Sequence, residues 1–203
     1  MLKRFERVIF TRWFVNLCLV LPAFYLGGLI ILGRTGANPV EFILLTTGDF
    51  VIKILLVLLW ISPLRVILPR LVWLKKISGF KRQIGVACFL YGLAHFSIYL
   101  LDHISKPGVF VDQLIKPFTA AGFLALLILL PLALTSFNRA VKKLGYKNWK
   151  KLHRLVYFSA VLIFFHLLLK EKDVYIKATT HFLPLLLAEG YRFYHFRKNL
   201  IKL

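Results

Sequence analysis

Two histidines, His95 and His166, fall in the middle of two long apolar segments. Each lies 13 residues beyond a polar boundary residue, Arg82 for the first and His153 for the second. At the helical rise of 1.5 Å per residue, both stand about 20 Å from that boundary and therefore level with one another. An ionisable side chain at membrane depth is costly and marks a functional site by default. Two level imidazoles on separate helices form the donor set that grips one planar metal cofactor. Haem is the natural guest, being large, flat, apolar and axially ligated by imidazole. The plainer alternative, a hydrogen bond from each ring to a neighbouring backbone carbonyl, accounts for one such histidine more readily than for two at one depth.

Four further histidines are sorted by depth. His153 sits at the inner boundary, where the helix of His95 offers only Arg82 and Gln83. Thirteen residues is about 3.6 turns, so an ideal helix points His153 and His166 roughly 140° apart, and the two cannot serve one haem. His153 reads either as an interfacial histidine near the headgroups or, given tilt or a local irregularity, as a ligand of a second, inner haem. His181, in the outer half of the last apolar segment, rivals His95 or His166 as a ligand. His103, beside Asp102, reads as solvated at the outer edge, and His195 as part of the tail.

The elements that must position these rings follow from composition. The chain has 203 residues, 59% of them hydrophobic, and a mean hydropathy of +0.75, against about 45–50% apolar residues in a soluble domain. Successive runs approach the ~20 residues that span about 30 Å of hydrocarbon. The fold class is all-α: a polytopic membrane protein, one six-helix transmembrane domain over 1–203. Its spans are about 13–32, 50–68, 84–101, 118–134, 152–169 and 174–191. The first is a retained span, since it is too long for a signal peptide and lacks a cleavage site. Asn38-Pro39 with Glu41 starts a short helix, to about Thr47, expected on the outer surface. Pro107-Gly108 reads as a turn, and Pro117 as the start of the fourth span.

The formal net charge of +20 has a topological origin. The N-terminal segment, the linkers 65–82 and 139–154 and the tail from Arg192 carry 21 of the 28 basic residues. Segments 33–49, 102–117 and 170–177 carry equal numbers of bases and acids. The positive-inside rule places both termini in the cytoplasm, and anionic lipid headgroups favour the same arrangement. Nucleic acid is not an expected partner, because the bases are spread over four linkers rather than one recognition element. Cys18 and Cys88 form no CxxC or CxxCH pattern, which excludes zinc ribbons and covalent c-type haem, and both read as small buried hydrophobes. Trp13, Trp73 and Trp149 suit an interfacial belt. Transport is disfavoured because, apart from Lys53 and Glu189 near span ends, mid-depth charges are absent.

Several motifs match a known family: Lys81-Arg82-Gln83-Ile84-Gly85 leading to Tyr91-Gly92-Leu93-Ala94-His95, Leu134-Thr135-Ser136, and above all Lys143-Leu144-Gly145 followed by Trp149-Lys150-Lys151-Leu152-His153-Arg154-Leu155-Val156-Tyr157 and then His166. From about residue 15 to 195 the chain resembles the MsrQ (YedZ) family, the haem-binding membrane subunit of the bacterial periplasmic methionine-sulfoxide reductase system. That family is itself similar to the transmembrane core of ferric reductases and NADPH oxidases. The resemblance implies b-type haem, one or two per chain, at the positions matching the family histidines, His95, His153 and His166. It further implies FMN, electrons from the quinone pool or a cytoplasmic flavin reductase, a periplasmic molybdopterin-containing reductase as partner, and the bacterial inner membrane as location. His181 matches no family position. The oxidase group carries a second histidine on the third span that this chain lacks. Arg82 is a candidate to hold a haem propionate or a flavin phosphate. The expected function is therefore an electron conduit; the alternative is a stand-alone ferric or oxygen reductase working with a separate flavoprotein.

Overall fold

In the computed structural model, residues 9–103, 107–170 and 174–200 are described. They form α1 (Arg12–Ile31), α2 (Pro39–Ile67), α3 (Val72–Ser78), α4 (Lys81–His103), α5 (Pro107–Ile115), α6 (Pro117–Leu134), α7 (Asn138–Leu144), α8 (Tyr146–His153), α9 (Leu155–Leu168) and α10 (Val174–Leu200), with no strand among the described residues. Among the described residues five helical stretches are long and apolar enough to cross a membrane: α1, α2, α4, α6 and Tyr146–Leu168, which comprises α8 and α9. The chain is a multi-pass membrane protein.

The chain closes a ring. α2 packs on α4, α4 on α6, α6 on α9, α9 on α10, and α10 back on α2, while α1 packs mainly on α2 and α4. Small residues let the backbones approach where lipid offers no hydrophobic drive for association. Ser159 and Cys88 are both 0% exposed; the Ser159 hydroxyl of α9 donates to the Ala125 carbonyl of α6 at 3.2 Å. Leu55, Phe89, Leu129 and Ile163 fill the centre of the same core. Large apolar side chains such as Val57, Leu90, Leu127 and Leu186 face outward, as a lipid-facing surface requires.

The alternation of helices gathers the basic linkers at one end. There Lys81 donates to the Ser62 hydroxyl, Arg65 to Ser78 at 3.2 Å, and Arg82 to the Asn138 amide oxygen at 2.8 Å. Arg192 pairs with Glu189 at 2.8 Å.

Some local expectations are corrected. Asn38 caps a helix beginning at Pro39, its side chain accepting from the Glu41 N–H at 3.3 Å. That helix does not end near Thr47, however, but continues through Gly48 and Pro63 to Ile67, packed along α4 and α10. Pro107 opens a short helix rather than a turn, as proline tolerates the first helical position. Cys88 is buried, but Cys18 lies on the lipid-facing side of α1. Parts of the connections read as outer, Lys106 and Glu171–Asp173, fall outside the described residues, as do Lys3, Arg4, Glu6 and Arg7.

Candidate functional site

His95 on α4 and His166 on α9 meet inside the ring. Their ring centres are 6.4 Å apart and their planes lie at 87°. Each ring is held the same way. The Nδ1–H of His95 donates to the Leu44 carbonyl of α2 at 3.0 Å, with the Thr47 hydroxyl 3.3 Å from the same nitrogen. The Nδ1–H of His166 donates to the Phe118 carbonyl of α6 at 2.6 Å. A carbonyl acceptor fixes both tautomer and ring direction, the usual support of a metal-ligating imidazole. Neither Nε2 has a protein partner among the described residues, so both remain available as ligands.

Sequence reasoning missed the feature that admits these rings. Four residues beyond each accepting carbonyl, on the same helix face, stands a glycine. A Cβ at Gly48 would meet His95 Cε1 at 3.1 Å, and one at Gly122 would meet His166 Nδ1 at 2.7 Å. An imidazole can reach the carbonyl of residue i only by lying across residue i+4, and these two glycines clear the way. The legible signal was a glycine in each flanking span at the depth of the histidines.

The donor set fits a porphyrin. With a metal–nitrogen bond of about 2 Å on each side and roughly 1 Å from that nitrogen to the ring centre, two axial imidazoles have centres about 6 Å apart. Among the described residues no three His, Cys, Asp or Glu side chains converge. The pair therefore suits a metal whose equatorial nitrogens come with the cofactor.

His153 stands apart from this pair. Its Nε2–H donates to the Thr135 hydroxyl at 3.1 Å, and that hydroxyl donates in turn to the Pro131 carbonyl at 2.6 Å. Trp149 covers the imidazole at 4.1 Å between ring centres and donates its indole N–H to the Thr135 carbonyl at 2.9 Å. Trp149 is thus a packing partner of His153; Gly145, at φ 74°, turns the corner that delivers it. Between His153 and Leu155 the helix breaks at Arg154, where bonds of the i to i+3 type replace the regular ladder. This is the irregularity that the ideal-helix phase left open.

Arg82 lines a cleft of about 740 Å³ between α1, α4 and the α6–α7 corner, with Arg12, Asn16, Gln83 and Tyr91. It lies close enough to His153 for its charge to act on that ring. His103 is not simply solvated: it stacks on Tyr99 at 4.4 Å and its Nδ1–H donates to the Tyr99 carbonyl at 2.9 Å. His181 is half-buried on α10 beside Thr180, and His195 is exposed.

A membrane bundle with two carbonyl-anchored imidazoles level across its core defines a class, and residues 46–164 match the family model of the ferric reductase like transmembrane component. Among curated relatives, the protein-methionine-sulfoxide reductase heme-binding subunit MsrQ of Ralstonia nicotianae is 41% identical over 68% of this chain and 64% of its own length. That of Deinococcus radiodurans is 37% identical over 70% and 73%. That of Agrobacterium fabrum is 31% identical over 94% and 86%. The chain belongs to the MsrQ family. It spans 60–64% of the length of the two first-ranked relatives. No solved structure matches.

Proposed function

We propose that the chain is the haem b membrane subunit of an electron-transfer system, in which His95 and His166 would hold the haem iron. The observation that carries the reading is that both Nδ1–H groups are spent on backbone carbonyls while both Nε2 atoms remain free, with ring centres 6.4 Å apart. The names of the relatives state a heme-binding subunit of a methionine-sulfoxide reductase, which supports the same cofactor here.

When bound, haem supplies a one-electron centre within the hydrocarbon. The residues of the chain set its axial field, fix the ligand tautomers and exclude water. Electrons enter at the basic end, from the quinone pool or a cytoplasmic flavin reductase, and leave at the opposite end to a periplasmic molybdopterin-containing reductase that repairs methionine sulfoxide. The cleft lined by Arg12 and Arg82 is the candidate entry site for the donor, FMN or a quinone headgroup. His153 is held in reserve as a ligand, since ligation through its Nε2 requires release of Thr135. In this reading α10 is the sixth span, both termini are cytoplasmic, and the membrane is the bacterial inner membrane.

Absorption spectra of the detergent-purified protein, oxidised and dithionite-reduced, test the reading. A low-spin b-type spectrum is expected, and a colourless preparation contradicts it. Rapid reoxidation of the reduced protein by ferric chelates or oxygen, with no protein partner, would favour a stand-alone reductase.

A further inference from the structure

One turn beyond the imidazole pair, on the side away from the basic end, three polar groups converge in level. Tyr99 follows His95 by four residues on α4, so the two share a face about 6 Å apart. Lys170 follows His166 by four residues and stands just past the C-terminal end of α9. Thr119 precedes Gly122, the glycine under His166, by three residues and adjoins the Phe118 carbonyl that holds that ring. The Tyr99 and Thr119 hydroxyls are both buried, and neither has a hydrogen-bond partner; Thr119 is only 7% exposed. A buried hydroxyl left without a partner is unfavourable, and two at one level point to a missing acceptor.

The remaining features favour an acceptor with negative charge. Lys170, just past the end of α9, forms no ion pair among the described residues. Thr119 lies in the first turn of α6, whose N-cap residue Lys116 provides no side-chain cap. The leading N–H groups of that turn are therefore open to an anion. One turn toward the basic end the corresponding positions are apolar or occupied. Leu126 and Leu162 pack into the core, and the Tyr91 hydroxyl is committed to α1, donating to Leu19 O at 2.8 Å and accepting from Ala23 N–H at 3.1 Å.

We propose that Tyr99 Oη, Thr119 Oγ1 and the Lys170 ammonium form the cradle for the haem propionates, holding the porphyrin with its acidic edge toward the end of the bundle opposite the basic linkers. This rests on the haem reading above and displaces Arg82 as the propionate partner. The acidic edge then lies toward the face from which electrons leave.

The test uses the full chain purified with haem, and the near-isosteric variants Tyr99→Phe and Thr119→Val with Lys170→Gln. Each should keep the low-spin spectrum and transfer haem to apomyoglobin about tenfold faster, the effect of one lost charge-assisted hydrogen bond. Lys170→Gln should also lower the midpoint potential, because removing a nearby cation favours the ferric state, and Lys170→Arg should restore it. Reconstitution with the dimethyl ester of haem should abolish the difference in haem transfer rate between wild type and Lys170→Gln. Unchanged haem transfer in all three variants, a larger potential shift in Arg82→Gln than in Lys170→Gln, or persistence of the Lys170 effect on haem transfer with the ester overturns the cradle. A colourless wild type would instead fell the haem reading itself, so the two failures are distinguishable.

Discussion

Gly122 lies so close under His166 that a Cβ on it would stand 2.7 Å from the ring Nδ1, below any ordinary contact distance. The partner groups are both hard to move. The imidazole is tied at 2.6 Å to Phe118 O, and the glycine is fixed within α6. Gly122→Ala should therefore break the Nδ1 hydrogen bond, rotate the ring and remove most of the low-spin haem. Gly48→Ala meets His95 at 3.1 Å, a contact that a shift of a few tenths of an ångström relieves, so a smaller loss is expected. The ratio of haem to protein and the reduced-minus-oxidised spectrum check both. A wild-type spectrum in Gly122→Ala would show that the ring does not sit across that glycine.

The histidines should separate cleanly by substitution. His95→Ala and His166→Ala each remove an imidazole whose Nε2 is free to ligate, and each should abolish the bis-imidazole spectrum. His181→Ala should leave it intact. His153→Ala removes a ring held by Thr135 and Trp149, so the spectrum of the His95–His166 pair should persist. Haem content per chain decides the outcome: a loss of half in His153→Ala would mean that His153 leaves Thr135 to ligate a second iron.

Much of this site was legible in the residues and some of it was not. Apolar run length and the charge of the linkers gave the membrane class and six spans, of which five match helices long and apolar enough to cross, since both depend on composition alone. The level of His95 and His166 followed from helical rise. What composition could not reveal was which neighbouring backbone each ring would meet. Leu44 and Phe118 act through carbonyls, which every residue possesses, and Gly48 and Gly122 act through a missing atom. The continuation of α2 past Thr47 was likewise hidden: local start signals mark where a helix begins, not how far tertiary packing carries it. The break at Arg154 has no Pro or Gly to announce it. It coincides with the stacking of Trp149 on His153, a contact between residues four apart that sequence spacing permits but does not require.

The loose attachment of α1 predicts a local effect. The Tyr91 hydroxyl bridges both groups of one rung of that helix, Leu19 O and Ala23 N–H. Among the described residues a further side-chain tie from α4 to α1 is Gln83 to Asn16 at 2.8 Å. Tyr91→Phe should leave both backbone groups with one partner fewer at a cost of about 1–3 kcal/mol. Because α1 touches the ring at few points, the cost should appear locally. Hydrogen exchange over residues 19–23 should accelerate by at least about tenfold, while exchange in α6 and α9 stays unchanged. Equal acceleration across the bundle would mean that α1 is integral to the core.

Topology can be read independently of any cofactor. Gly36 and Gly145 occupy exposed connections at opposite ends of the bundle, and the basic excess around Gly145 assigns it to the cytoplasm. Alkaline phosphatase fused after Gly36 should be active, and after Gly145 inactive. The decisive fusion follows Arg197, at the end of α10. Ala178, Leu185 and Ala188 bury one face of that helix, which packs on α2 and α9, while Leu183, Leu186 and Leu187 remain exposed as a lipid-facing side would. Its last turns carry Arg192, Arg197 and Lys198, and Arg192 joins Glu189 and the Tyr157 hydroxyl near the basic end. If α10 crosses, the Arg197 fusion is inactive; an active fusion there would leave five spans and place the tail on the far side of the membrane.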